Sequence, residues 1–519
     1  MRLRRYHGTE RQKYRQPNLK SKHAMRKSEF SPPPPLGINP GSIARNALWL
    51  SGGEFLSRLV GLGLAIYLAR VLGVEGYGLI GTALAFVGYF TIFIAAGVDF
   101  HGVRDIAQQP EKLPQILGYV LGTRLLLLLA AGIAMILLVW LLPTSVIGRI
   151  DLVAIYALTL LTFALNTTWA LRGIQQMRTI AIGLVLQNLL MASATILLVR
   201  KPSPLLWLIP TIQVASECFL VAWYYRFLYL RFGTLKPIFD WEHLWPTLKE
   251  TLHLSLGRFP RIFYYQGDVL LLAWLVGAAS AGEFLASHKI ILSIVMVGVI
   301  YQVNAYPTTS RLAAESPTAA LRFQMNILRY ALIVMSPLVV LGAIYAEPLI
   351  QTIYGSAFSA SPLIFFWMLF TIPAFEISIA MQDLLAATRK NNAVVIANTT
   401  AMLVHIAVGI AIIPNFLGVG AAIASLVGEV AGMLLLAGFV WHGTRLFPFS
   451  GRMLVPPLGG GVMYVTILLS SGEYWVIQAG LGLLAYAIVM LLFRALTHSE
   501  ICRIWQSLLS LVNFGRWGS

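Results

Sequence analysis

The sequence predicts an all-α membrane protein of about fourteen transmembrane helices, in two pseudo-symmetric six-helix lobes followed by two C-terminal helices. Composition is the first ground: 58% of the 519 residues are hydrophobic and 11% charged, with a mean hydropathy of +0.75. A soluble domain carries about 25% charged residues, so this chain lacks the polar surface to stay in water. Second, apolar runs near the bilayer-spanning length of about 20 residues recur along the chain. Third, Lys and Arg alternate between successive loops, as topology-setting charges do.

Residues 1–45 hold eleven Lys and Arg, the run Pro32 to Pro35 and no helical period. They read as a disordered, basic cytoplasmic tail, without the apolar core of a signal peptide. Much of the net charge of +17 sits here, beside a membrane rather than in a nucleic-acid-binding fold. Its uses are to fix topology or to contact anionic headgroups.

The N-lobe covers 46–226, with spans expected at 46–69, 77–98, 116–142, 152–171, 180–199 and 205–226. A cytoplasmic connection, 227–251, follows. The C-lobe covers 252–441, with spans at 252–276, 284–306, 327–346, 362–386, 391–413 and 419–441. The last pair, within 442–493, spans 455–470 (shortened by Pro456 and Pro457) and 475–493, and 494–519 is a cytoplasmic tail.

With the basic tail inside, the inside loops carry pairs and triplets of cations such as Arg172 and Arg178, or Arg311, Arg322 and Arg329. The outside loops carry only Arg70, Arg149, Arg200 and Lys201, and none beyond residue 202. One missed span would invert that pattern, so both termini are expected in the cytoplasm. The outside loops are short, which leaves no room for a large extracytoplasmic catalytic domain. Cys218 and Cys502 have no disulfide or metal-site spacing and read as packing residues.

The halves echo each other. The first span ends at Leu72-Gly73 and the second opens with Gly76-Tyr77-Gly78; the seventh ends at Val276-Gly277 and the eighth opens with Gly282-Glu283-Phe284. Transporters built from repeats bind substrate between them.

The segment Ala69-Arg70-Val71-Leu72-Gly73-Val74-Glu75-Gly76-Tyr77-Gly78 resembles the signature turn of polysaccharide and O-antigen flippases, in the superfamily that also holds the MATE exporters and lipid II flippases. Further similar motifs follow in order: Gly97-Val98-Asp99 with Arg104-Asp105-Ile106-Ala107; Asp268 with Leu271, Leu272 and Gly277; Pro307 with Ser310-Arg311-Leu312; Tyr354-Gly355-Ser356-Ala357-Phe358; and Ile413-Pro414 with Gly418, Gly420, Ala421 and Ala422. The resemblance covers roughly 40–445. It implies a two-lobed bundle, a central cavity, alternating access and a place in the bacterial inner membrane. It implies as cargo a polyprenyl-(pyro)phosphate-linked oligosaccharide for cell-surface polysaccharide, with membrane lipid and other proteins of the assembly pathway as partners. The cation-coupled drug exporter and the lipid II flippase are alternatives on the same fold, and an outer-face glycan polymerase or ligase is the alternative from another class.

Charges inside spans mark the candidate chemistry, because each costs several kcal/mol unless it faces a partner or a wet cavity. Arg58 lies mid-way along the first span, with Glu54 one turn earlier on the same face. Arg258, Arg261 and Asp268, with Tyr265, share one stripe of the seventh. The cationic-cavity candidates are Arg58, Arg258 and Arg261, whose guanidinium forks match phosphate oxygens, with Arg124 of the third span a lesser one that can snorkel to the inside surface. The structural alternative is that Glu54–Arg58 and an Arg–Asp268 pair simply pin helices. Asp268, Glu217, Glu376 and Glu429 are the ion-coupling candidates, and Lys289 and His405 are available as partners. No Gly-x-x-x-x-Gly-Lys-Ser/Thr run, metal-site spacing or nucleophile elbow occurs. The expectation is a transporter, not an enzyme, without metal or cofactor.

Overall fold

The computed structural model describes residues 40–95, 97–143, 147–200, 205–240, 260, 263, 266–470, 472, 474–495 and 500. Residues 1–39 of the basic tail, Arg258, Arg261 and Tyr265 lie outside these residues, whereas residues 40–45, expected as tail, begin the first helix.

Among the described residues the fold is helical without strands. In the N-terminal half the helices are α1 (Pro40–Ala95), α2 (Val98–Gln108), α3 (Leu113–Leu141), α4 (Ile150–Tyr156), α5 (Leu158–Leu165), α6 (Thr168–Gly173), α7 (Met177–Leu198) and α8 (Leu208–Phe232). The short α9 (Gln266–Leu275) follows. The C-terminal half continues with α10 (Ala278–Glu315), α11 (Pro317–Ile344), α12 (Ala346–Tyr354), α13 (Ser361–Leu369), α14 (Thr371–Ala387) and α15 (Asn391–Thr444). The last pair is α16 (Gly451–Leu469) and α17 (Trp475–Leu492).

Ten helical stretches among the described residues are long and apolar enough to cross a membrane. Two of them, α1 with 56 residues and α15 with 54, are double length. At 1.5 Å per residue each would run roughly 80 Å against a hydrocarbon core of about 30 Å. Each is broken near its middle: α1 at Gly73 (φ 67°, ψ −176°), and α15 at Leu417 (φ 52°, ψ −133°), three residues after Pro414. The sixth and seventh expected spans correspond to α8, which carries Glu217, and to the short α9. Neither belongs to the ten, so the described residues hold ten such stretches, two of them doubled, where fourteen spans are expected.

The fourth expected span is not one helix. The chain stays helical through Ala157 (φ −57°, ψ −27°) and is interrupted at Asn166, whose backbone turns extended (ψ 122°). Asn166 Oδ1 accepts bonds from the Thr168 backbone N (2.9 Å) and Thr168 Oγ1 (2.5 Å), which restarts the helix as α6. The sequence marks Asn166 only as a polar residue within a span, whereas in the structure it interrupts the helix.

In the N-terminal half, the first part of α1 packs on α7, where Gly53 meets Ala181 and Tyr67 Oη donates to the Val199 carbonyl at 2.7 Å. After α8 the chain runs extended, and Ile238 N donates to Gly118 O at 2.9 Å, docking the connection onto α3. The last pair, α16 and α17, lies against α11, with Tyr486 Oη donating to Ile333 O at 2.8 Å. Ile136, Trp140, Leu138 and Leu469 are among many large apolar side chains left exposed, which in a multi-pass membrane protein is the lipid-facing surface.

Candidate functional site

The second part of α1 carries the contact between the two halves. A Cβ on Gly78 would fall 1.8 Å from the Ala278 carbonyl oxygen, and one on Gly282 would fall 2.0 Å from the Val74 carbonyl oxygen. The contact is reciprocal, turn against turn, and only glycine permits it. Gly277 (φ 120°, ψ 173°) shares with Gly73 (φ 67°, ψ −176°) a positive φ and a ψ near 180°, so both echoed positions are ones that favour glycine. Around it Tyr77 meets Phe358 edge-on, with ring centroids 6.4 Å apart. Arg70 Nε donates to Ile353 O at 2.7 Å, and its Nη2 donates to Thr352 O. The two halves are thus sealed at the end where the first pair of spans turns. Further along, Gly88 makes room for Gln266, and the rings of Tyr89 and Phe263 lie 6.3 Å apart.

Arg58 lies in the other part of α1 and is exposed. The i,i+4 pair with Glu54 does not form: Glu54 Oε1 lies 3.7 Å from Arg172 Nη2 at the end of α6. A tertiary partner has won over the helical neighbour, and Arg58 forms no salt bridge among the described residues.

Arg124 does not snorkel. It is 2% exposed, paired with the Asp99 carboxylate, and its Nη1 donates to Asn166 O at 2.6 Å with Phe163 O and Ala164 O at 3.4 Å. The helix break at Asn166 frees those carbonyls, and Arg124 satisfies them. The rings of Phe163 and Trp169 flank the guanidinium, 5.7 and 6.0 Å away. A cavity of about 520 Å³ opens here, lined by Asp99, Arg104, Arg124, Asn166 and Arg172 among others. Each of its arginines faces an acid: Arg104 with Asp105 at 3.3 Å, Arg124 with Asp99, and Arg172 with Glu54. The cavity is charge-compensated rather than cationic.

Asp268 sits at the centre of a buried cluster in the C-terminal half. Its Oδ1 is 2.6 Å from His405 Nε2, and its Oδ2 accepts from Ser425 Oγ at 2.6 Å. The three are 3%, 1% and 3% exposed, so α9 is pinned to both parts of α15. Asp268 thus has His405, one of its available partners, and Ser425 beside it, while Arg258 and Arg261 lie outside the described residues. An enclosed cavity of about 20 Å³ adjoins the cluster, bordered by Asp268, His288, Thr371 and Ser425, enough for one water or one small cation. A carboxylate, an imidazole and a hydroxyl around such a space can hold and release a proton.

Of the other acids, Glu429 acts electrostatically on His405, whereas Glu217 and Glu376 have their own surroundings. Glu217 accepts from Thr162 Oγ1 and from Gln213 Nε2 at 3.0 Å. Glu376 is fully buried against Gly298, where a Cβ would fall 1.9 Å from its Oε1. Glu429, 7% exposed, lies on the same helix as His405. Sequence reasoning missed Asp99 as the partner of Arg124, Ser425 as a ligand of Asp268, and Glu283, which accepts from Ser361 Oγ at the start of α13. Nothing in their local spacing marks them, because each partner is brought by the tertiary fold.

The family model "Polysaccharide biosynthesis protein" matches residues 43–313, just over half of the chain. The chain belongs to the polysaccharide biosynthesis protein family. That match spans the first turn, the Arg124–Asp99 pair, Asp268 and the second turn. Among solved structures the chain is similar to the lipid II flippase MurJ in an inward closed conformation, with a TM-score of 0.69 and 17% identity over 86% of this chain and 98% of that one. It is also similar to a multidrug resistance MATE family transporter of the MOP superfamily in an inward-facing conformation, with a TM-score of 0.53 and 14% identity over 79% of this chain and 97% of that one. At these identities the likeness shows the fold alone, an all-helical bundle like theirs. No curated protein matches the sequence.

Proposed function

We propose that this protein moves a polyprenyl-phosphate- or pyrophosphate-linked oligosaccharide from the cytoplasmic to the outer leaflet of a bacterial inner membrane, with both termini in the cytoplasm. The reciprocal contact of Gly78 and Gly282 carries the reading. It brings the backbones of two repeat-related halves together at one end, with the exposed Arg70 donating across the seam, a contact that a rocking motion can break and remake. The positive-inside pattern makes that end the outer one.

Arg58, exposed and without an acidic partner among the described residues, is free to receive the phosphate, with Arg258 and Arg261 of the seventh span joining it. Arg124 is a positioning residue, occupied by Asp99 and three carbonyls. Proton exchange at Asp268, His405 and Ser425 supplies the coupling. Glycan synthesis by other proteins of the pathway supplies the cargo.

The test is movement of a fluorescent polyprenyl-pyrophosphate oligosaccharide between leaflets of liposomes holding the purified protein, with lipid II and a cationic dye as parallel cargoes. Wild type should move the oligosaccharide and Arg58→Ala should not. Movement of lipid II alone, or expulsion of the dye alone, overturns the cargo assignment.

A further inference from the structure

The first part of α1 and the neighbouring α7 leave an apolar groove that plays no part in the transport cycle above. Its volume is about 560 Å³, and its walls include Leu48, Trp49, Leu56, Val185 and Leu186. The floor is the close approach of Gly53 to Ala181, where a Cβ would fall 2.5 Å from the alanine Cβ. At Gly52 nothing lies within 4 Å of a would-be Cβ, so bare helix backbone borders open space.

One end of the groove is cationic. Arg45 lines it, and the Arg178 guanidinium stands 5.4 Å from the ring centroid of Trp49. Both arginines are exposed, and neither forms a salt bridge among the described residues. An aromatic ring beside exposed cations is the pattern of a membrane–water interface. From Arg45 to Leu56 the helix rises roughly 16 Å, about half of the ~30 Å hydrocarbon core. The groove therefore has the depth of one leaflet.

We propose that this groove is a binding site for an anionic phospholipid, with one acyl chain along α1 and α7 and the phosphate between Arg45 and Arg178. Depth selects the occupant: a leaflet-long acyl chain fits, whereas a polyprenyl chain would overrun it. Charge selects the headgroup, and the ten further cations that precede Arg45 in the sequence add to the same basic field.

Trp49 is the reporter. The delipidated full chain in detergent is titrated with phosphatidylglycerol or phosphatidylcholine carrying brominated acyl chains, and the Trp49 signal is taken as the difference between wild type and Trp49→Phe. Phosphatidylglycerol should quench that signal at several-fold lower concentration than phosphatidylcholine. Gly52→Leu, which places a side chain in the groove without a backbone clash, should abolish the quenching at an unchanged melting temperature. The exposed pair Arg45→Gln and Arg178→Gln, which needs no repacking, should erase the headgroup preference while quenching persists. Equal quenching by the two lipids in wild type overturns the proposal, as does quenching that survives Gly52→Leu. Displacement of phosphatidylglycerol by a polyprenyl phosphate overturns the assigned occupant.

Discussion

Gly78 and Gly282 stand on equivalent turns of the two halves, and each leaves room for the other's backbone: the Ala278 carbonyl oxygen lies 1.8 Å from a would-be Cβ on Gly78, and the Val74 oxygen 2.0 Å from one on Gly282. The same sequence offset separates Gly73 from Gly277, Val74 from Ala278 and Gly78 from Gly282. A duplicated turn has met its copy about a local two-fold axis, as identical surfaces do in a symmetric dimer.

A methyl group at either glycine must push the turns apart. Gly282→Ala should destabilise the closed arrangement by about 1–3 kcal/mol, the usual range for overpacking. The readout is a cysteine at Ala281, which is fully buried. Ala281→Cys should react several-fold faster with a membrane-impermeant maleimide when Gly282→Ala is present, and an unchanged rate would mean that the turns do not govern closure.

The Asp268 cluster should show graded losses in detergent melting. Ser425→Ala removes one of its two bonds and Asp268→Ala removes both, at about 1–3 kcal/mol for each buried group left unsatisfied. Asp268→Asn keeps the shape and removes the ionisable carboxyl, so transport should lose its dependence on a proton gradient. Retained dependence would place the coupling at another acid.

Two ion pairs of the N-terminal half should behave differently. Arg124 with Asp99 is buried on the arginine side, whereas Arg172 and Glu54 are 47% and 33% exposed and 3.7 Å apart. A double-mutant cycle on Arg124→Met and Asp99→Ala should give a coupling of about 0.5–3 kcal/mol. The cycle on Arg172→Ala and Glu54→Ala should give no more than about 1 kcal/mol. Equal couplings would contradict the positioning role of Arg124.

Gly298 and Glu376 should form a size-exclusion pair. Gly298→Ala places a methyl 1.9 Å from Glu376 Oε1 and should lower the melting temperature, at about 1–3 kcal/mol. Adding Glu376→Ala should recover part of that loss, and no recovery would show that the glycine serves another contact.

Much of this architecture was legible in the sequence because bilayer thickness fixes helix length and glycine marks the turns. The signature run from Ala69 to Gly78 gave the first turn, and its echo near Gly277 gave the second. Asp268 stood out because a carboxyl inside an apolar run demands a partner, and His405 was among those available. Partner choice was less legible. Helical spacing paired Glu54 with Arg58, but the fold brings Arg172 to Glu54. The long aliphatic stem of Arg124 permitted snorkelling, but carbonyls freed by the break at Asn166 hold it inside. That break is itself a local polar matter, since Asn166 and the two threonines after it turn the chain within a largely apolar run.

The most direct test locks the sealed end. Arg70→Cys and Thr352→Cys, at positions joined by a hydrogen bond in this structure, are combined with Cys218→Ser and Cys502→Ser. The protein is reconstituted, bridged with a reducible bis-methanethiosulfonate, and assayed for movement of a polyprenyl-pyrophosphate oligosaccharide between leaflets. Bridging should stop movement and a reductant should restore it. Unimpaired movement by the bridged protein would contradict opening at Gly78 and Gly282 as the path of transport.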